Sequence, residues 1–179
     1  MNFNFLYKLK VFIKYFFVIN SDNQIVAILS GMLAAATAGF LVWNWPPAKI
    51  FMGDVGSSFI GYTLGVLALL SMHHGTMTVW TWFILLGVFV VDATLTLGIR
   101  VFRGMNWREG HCSHAYQNAA RYYKSHGKVT ATVLVINIFW LAPWGWLSVR
   151  YPAIGFCLCI AALSPLVLLA VKFRAGESA

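Results

Sequence analysis

Acid is what this sequence has least of. Five Asp and Glu residues stand against thirteen Lys and Arg in 179 residues, and charged residues make up 10% of the chain. A soluble domain carries roughly 25%. With 60% hydrophobic residues and a mean hydropathy of +0.73, the apolar surface is more than a soluble fold of this size could hide, so lipid has to cover it. An integral membrane protein is expected. The net charge of +8 follows from the shortage of acids. It points to anionic membrane lipid or anionic substrates as partners, and away from nucleic acid.

Cysteine is scarce too. Cys112, Cys157 and Cys159 form an odd set with no framework spacing, which gives no sign of a disulfide scaffold or a zinc site. On a helix Cys157 and Cys159 point to different sides and read as packing residues. The first apolar stretch holds lysines and no small-residue cleavage site, so no cleavable signal peptide is expected. Internal repeats and low-complexity runs are missing.

What is present is a series of long apolar runs. They predict an all-α polytopic membrane bundle of about five transmembrane helices, since about 20 apolar residues cross a bilayer. An N-terminal interfacial helix precedes them. The runs fall at 25–45, 58–72, 78–99, 129–148 and 152–171. Residues 1–24 form an amphipathic or remnant segment. Lys8, Lys10 and Lys14 would each cost about 2.5–3.5 kcal/mol at the centre of a span, so a helix lying in the interface fits better. Residues 25–172 form the transmembrane domain and 173–179 a tail. Trp43, Trp45, Trp80, Trp82, Trp144 and Trp146 sit at run ends as an interface belt.

Residues 100–128 are the only long polar segment. They hold Arg100, Arg103, Arg108, Arg121, Lys124 and Lys128 against one acid, Glu109. The positive-inside bias makes this loop cytoplasmic. Counting spans back puts Gly53–Ser57 on the same side, and counting forward puts Lys172 and Arg174 there.

Three places then carry candidate chemistry. Phe51–Gly61 sets Asp54 among Gly53, Gly56 and Gly61, between two apolar runs. A carboxylate in backbone that glycine leaves free to bend can hold a cation or a phosphate-bound metal; the plainer reading is a solvated turn. Asp92 lies about 12 Å inward from Arg100 along a helix. An acid at that depth faces a bundle interior or a wet cavity, or else pairs with Arg100, Arg103 or a threonine. In the basic loop, His111 and His114 share a face if the segment is helical, with Arg121 about two turns on. Arginine grips phosphate oxygens with paired donors, and histidine exchanges a proton near neutrality, so the set suits a pyrophosphate. The alternative is a loop that only sets topology.

Taken together, these strings resemble a known family. Phe51-Met52-Gly53-Asp54-Val55-Gly56-Ser57 resembles the F-M-G-D-x-G-S signature of the polyprenyl-phosphate N-acetylhexosamine-1-phosphate transferases, which include phospho-N-acetylmuramoyl-pentapeptide transferase. Trp43 to Ile50 before it, Val91-Asp92-Ala93-Thr94 after it and the His111–Gln117 string resemble the O-antigen branch of glycosyltransferase family 4, in order over 25–172. The resemblance implies transfer of a sugar-1-phosphate from a UDP-N-acetylhexosamine to undecaprenyl phosphate, with magnesium, on the cytoplasmic face of a bacterial inner membrane. It implies Asp54 as metal ligand or essential carboxylate, with Gly53 and Ser57 beside it at the substrate. Arg108, His111 and His114 would bind the nucleotide diphosphate, and Asp92 would be a second catalytic acid.

Departures from the pattern are equally specific. The family has about ten spans and a paired aspartate in its first half. Here no Asp-Asp occurs, the Asn-x-x-Asn-Phe-Met-Asp-Gly element is missing, and Cys112 stands where a basic residue is expected. The resemblance therefore implies a C-terminal half from a truncated or split form, working with a separate N-terminal half or a homodimer partner. An inactive membrane fragment and, further off, a small transporter are the competing readings.

Overall fold

The computed structural model describes residues 24–45, 47–104, 114–173 and 175–176. The expected interfacial helix at the N-terminus, Arg108 and His111 lie outside the described residues. The described residues are helical and carry no strand. Four helices are long and apolar enough to cross a membrane, or five if one bent pair counts as a span. The all-α polytopic membrane fold follows.

The chain divides into two compact units, Met1–Val79 and Trp80–Ala179. In the first, α1 (Gln24–Asn44) packs against α2 (Gly53–His73). Their connection is tied at both ends. The Lys49 amide donates to the Trp43 carbonyl at 2.9 Å, and the Asn44 side-chain amide donates to the Ile50 carbonyl at 2.7 Å. The Lys49 ammonium lies 5.4 Å from the centre of the Trp43 ring, a cation–π contact at the helix end.

The start of α2 corrects an expectation. The sequence places the second span at 58–72, with Gly53–Ser57 outside it; the helix begins at Gly53. Gly53 makes the turn in one residue at φ +65°, backbone that glycine adopts freely. Asp54 then falls in the first helical turn, where a carboxylate faces the positive end of the helix dipole.

In the second unit the third span is broken. α3 (Val79–Leu85) and α4 (Gly87–Phe102) meet at Leu86 at 85°, where a single helix over 78–99 was expected. Gly87 explains the site of the break. A Cβ there would come within 2.6 Å of Leu163 Cδ2 and 3.3 Å of Leu141 Cδ1, so the bend brings backbone against two leucines. A buried hydrogen bond of 3.0 Å between the Thr81 and Ser148 hydroxyls joins α3 to α7 (Ala142–Arg150). Polar pairs of this kind fasten helices where water is excluded.

The fourth span runs His126–Arg150 as α6 (His126–Val135), a π-helical turn (Ile136–Leu141) and α7. Ser125 caps it, accepting from the Lys128 amide. The fifth span, α8 (Gly155–Lys172), carries Pro165 inside it. Proline has no N–H for the Ala161 carbonyl; the Ser164 hydroxyl donates to that oxygen instead, at 3.1 Å. The Trp140 indole donates to the neighbouring Ala162 carbonyl at 2.9 Å, which ties the π turn to α8. Ile84, Val91, Leu141, Leu158, Ala162 and Leu166 form the buried centre of this unit.

The polar segment 100–128 is not one loop. It contains α5 (Ala115–Tyr123), which folds back onto the end of α8. The Asn118 side-chain amide donates to the Phe173 carbonyl at 3.0 Å, and Tyr122 and Tyr123 meet the Phe173 ring. α5 and the Lys172 end of α8 therefore lie at one end of this unit. Of the described residues beyond α8, Ala175 is buried and Gly176 packs on Thr96 and Ile99 of α4.

Candidate active site

Asp54 is held by the first turn of α2 and is exposed. The Ser57 hydroxyl donates back to the Asp54 carbonyl at 3.0 Å, which fixes Ser57 one turn on from the carboxylate. Gly53 leaves the approach to Asp54 open, with no atom within 4 Å of where a Cβ would sit. Gly53, Asp54 and Ser57 thus form one exposed cluster in the first unit.

Magnesium usually takes one or two carboxylates, with waters and substrate phosphates completing its shell. Asp54 offers one such oxygen donor, and the Ser57 hydroxyl has a lone pair to spare. Among the described residues no group of three or more His, Cys, Asp or Glu could hold a metal alone. The donors fit a share of a magnesium site that substrate oxygens complete; they do not make a closed cage.

The second unit brings two other expected residues together. Asp92 lies on α4 and His114 is the N-cap of α5. One oxygen of Asp92 accepts from the Ala115 amide at 2.7 Å. The other faces His114 Nδ1 at 3.4 Å. Neither sequence reading of Asp92 named these partners. His114 is held through its backbone as well: its amide donates to the Gln117 side chain at 3.2 Å, and its carbonyl accepts from the Gln117 and Asn118 amides at 3.0 and 3.1 Å. Its ring stacks on Tyr116 with centroids 5.9 Å apart. As the cap, His114 sits just before the helix that carries Arg121, and His111 lies outside the described residues.

Sequence reading missed a cleft of about 640 Å³ among α4, α5, α6 and α8. Val88, Val91, Val133, Ile136, Leu166 and Leu169 give it apolar walls, while Asp92, Lys128 and Lys172 supply its charge. The lysines come from the first turn of α6 and the last turn of α8. No motif signals such a space; a lysine at each of two antiparallel helix ends was the available clue.

Comparison with known proteins agrees with these strings. The sequence pattern of glycosyl transferase family 4 matches residues 5–72, which takes in the segment before α1 as well as the Gly53–Ser57 cluster. A probable undecaprenyl-phosphate N-acetylglucosaminyl 1-phosphate transferase of Bacillus subtilis is 32% identical over 122 residues, 67% of this chain and 33% of that protein. A phospho-N-acetylmuramoyl-pentapeptide-transferase of Saccharopolyspora erythraea is 46% identical over 88 residues, 49% of this chain and 23% of its own. One from Prochlorococcus marinus is 29% identical over 123 residues, 68% and 32% of the two chains. The chain therefore spans about a third of the length of the B. subtilis and P. marinus relatives. No solved structure gives a significant match. With its signature string, its apolar helices and these relatives, the chain is similar to glycosyl transferase family 4 over residues 5–72 and to about a third of the length of two named membrane transferases.

Proposed function

We propose that this chain supplies part of the site at which a sugar-1-phosphate passes from a UDP-N-acetylhexosamine to undecaprenyl phosphate, at the cytoplasmic face of a bacterial inner membrane. The observation that carries the reading is the Gly53-Asp54-Val55-Gly56-Ser57 string. It stands as an exposed first helical turn inside the segment matched by the family pattern. The product would begin an O-antigen or a related envelope polysaccharide.

In this reaction an oxygen of the lipid phosphate attacks the phosphorus that bears the sugar. The bond to that phosphorus forms as its bond to the UMP oxygen breaks. Two anions have to approach each other, so nearby cationic groups are needed to lower the barrier. Bound magnesium would supply that positive charge on the diphosphate oxygens. Asp54 is the residue that would hold it, with Gly53 giving close access and Ser57 a hydroxyl toward the substrate. His114, with Arg108 and His111 from the same segment, would meet the nucleotide diphosphate.

The apolar cleft suits the acceptor. Lys128 to Ile136 covers eight residues of helix, about 12 Å at 1.5 Å per residue. That is room for the first isoprene units, with Lys128 and Lys172 at the phosphate end. Two features favour a reading in which other chain segments complete the catalytic set: the 179 residues hold no Asp-Asp pair, and they span a third of two of their relatives. An inactive membrane subunit is the competing reading, and the same missing pair supports it. The test is transfer of labelled N-acetylglucosamine-1-phosphate to undecaprenyl phosphate in membranes that hold this chain together with the N-terminal part of a relative. Label entering the lipid only when both are present supports the proposal; none under any condition refutes it.

A further inference from the structure

Asp92 has its two oxygens committed to two neighbouring residues of the basic segment, and this assigns it a task of its own. We propose that Asp92 is a positioning residue. One oxygen pins the start of α5 and the other keeps the His114 proton on Nδ1, so the Nε2 edge is the one presented to a ligand. That this ligand is the nucleotide diphosphate rests on the function proposed above; the arrangement of Asp92 and His114 does not.

The argument starts from the Ala115 amide. A backbone N–H can only donate, so the Asp92 oxygen 2.7 Å away is an acceptor. An ionised carboxylate is acceptor-only at both oxygens. Its second oxygen lies 3.4 Å from His114 Nδ1, close enough to draw the proton of a neutral ring to that nitrogen, in competition with the Gln117 amide that the His114 side chain also meets at the start of α5. The proton on one ring nitrogen is set by the partner that nitrogen meets. Three hydrogen bonds fix the His114 backbone at the start of α5, and the ring stacks on Tyr116. Asp92 is largely covered while His114 stays more open, at 14% and 36% side-chain exposure. The acid is thus the buried support, and the imidazole is the group a solute can reach.

A second consequence concerns the helix. The N-terminus of α5 carries partial positive charge, and that charge already has an internal anion, Asp92. Any anion at this end of the segment has to be met by side chains, with His114 first among them.

Substituting asparagine for Asp92 separates positioning from mere support. Asn keeps the shape and one acceptor oxygen. Because Ala115 can only donate, that oxygen stays on Ala115, and the Asn NH2 group turns to His114. An NH2 group donates, so Nδ1 has to accept and the proton moves to Nε2. α5 stays docked while the tautomer inverts.

The experiment uses the detergent-solubilised chain with ¹⁵N-histidine and two-bond ¹H–¹⁵N imidazole spectra. His114→Gln identifies the signal by its loss. Wild type is expected to show Nδ1 protonated, and Asp92→Asn to show the proton on Nε2. In Asp92→Ala, which loses both contacts, the Ala115 amide is expected to exchange about tenfold faster or more, as for the loss of a charge-assisted hydrogen bond. A wild-type spectrum with the neutral ring protonated on Nε2 overturns the proposal whether or not any variant folds. So does an Asp92→Asn spectrum identical to wild type. Neither readout involves sugar transfer, so a failed transferase assay leaves this result standing, and the reverse holds too.

Discussion

Asp92 and Ala115 are 23 residues apart in sequence, yet the carboxylate of one accepts the amide of the other at 2.7 Å. That bond holds the start of α5 against α4 and places His114 beside the acid. Several predictions come from this geometry and from the packing around it.

Gly87 is a packing requirement of the bent third span. Gly87→Ala puts a methyl 2.6 Å from Leu163 Cδ2 and is expected to destabilise by about 1–3 kcal/mol, the usual cost of overpacking. Leu163→Ala in the same chain should return part of that loss. Thermal unfolding in detergent of the two single variants and the double variant measures it. Additive losses would show that the two positions do not meet.

Thr81 and Ser148 join α3 to α7 by a buried hydroxyl pair. Thr81→Val and Ser148→Ala should each destabilise, and together should cost less than their sum. The expected coupling is about 0.6 kcal/mol, the average for such bonds between membrane helices. A double-mutant cycle in denaturant reads it, and zero coupling would remove the bond from the account.

Ser164 compensates for Pro165. Ser164→Ala leaves the Ala161 carbonyl without its hydroxyl donor, at an expected cost of about 1 kcal/mol. If Pro165→Ala is made first, the carbonyl regains a backbone partner, and the same serine change should then cost less. Melting temperatures of the four proteins test the dependence.

Topology gives a prediction of its own. Tyr122 on α5 is exposed. In a chain with Cys112, Cys157 and Cys159 replaced, Tyr122→Cys should react with a membrane-impermeant maleimide in inverted vesicles and stay unlabelled in intact cells. Labelling of intact cells would turn the proposed orientation over.

Much of this was legible in the sequence because it depends on composition and local strings. The apolar runs announced the spans, and Asp54 stood out because acids are so few. The fourth span, expected from residue 129, begins three residues earlier at His126. The break at Leu86 was not legible: no proline marks it, and a glycine in an apolar run reads as continuous helix. What decides it is the approach of Leu163 and Leu141, which is tertiary. The same holds for Asp92, whose depth was readable from its distance to Arg100 while its partners were not, because Ala115 and His114 lie 23 and 22 residues on in sequence and meet it only in the tertiary fold. The role of His114 as a cap escaped too, since histidine is not among the usual N-cap residues. The first turn of α2 was misplaced because Gly-Asp strings are turn-prone, and here the turn is compressed into Gly53 alone.

The central claim is that Asp54 serves sugar-phosphate transfer to a polyprenyl phosphate. The direct measurement is the rate of N-acetylglucosamine-1-phosphate transfer from labelled UDP-N-acetylglucosamine to undecaprenyl phosphate. It is made with this chain co-produced with the N-terminal part of a relative, in magnesium and then in EDTA. The account predicts transfer in magnesium that is lost in EDTA, no transfer by this chain alone, and at least a hundredfold fall for Asp54→Asn at unchanged protein level, about the loss seen when a transition-state charge contact is removed. Transfer by Asp54→Asn at the wild-type rate would contradict it.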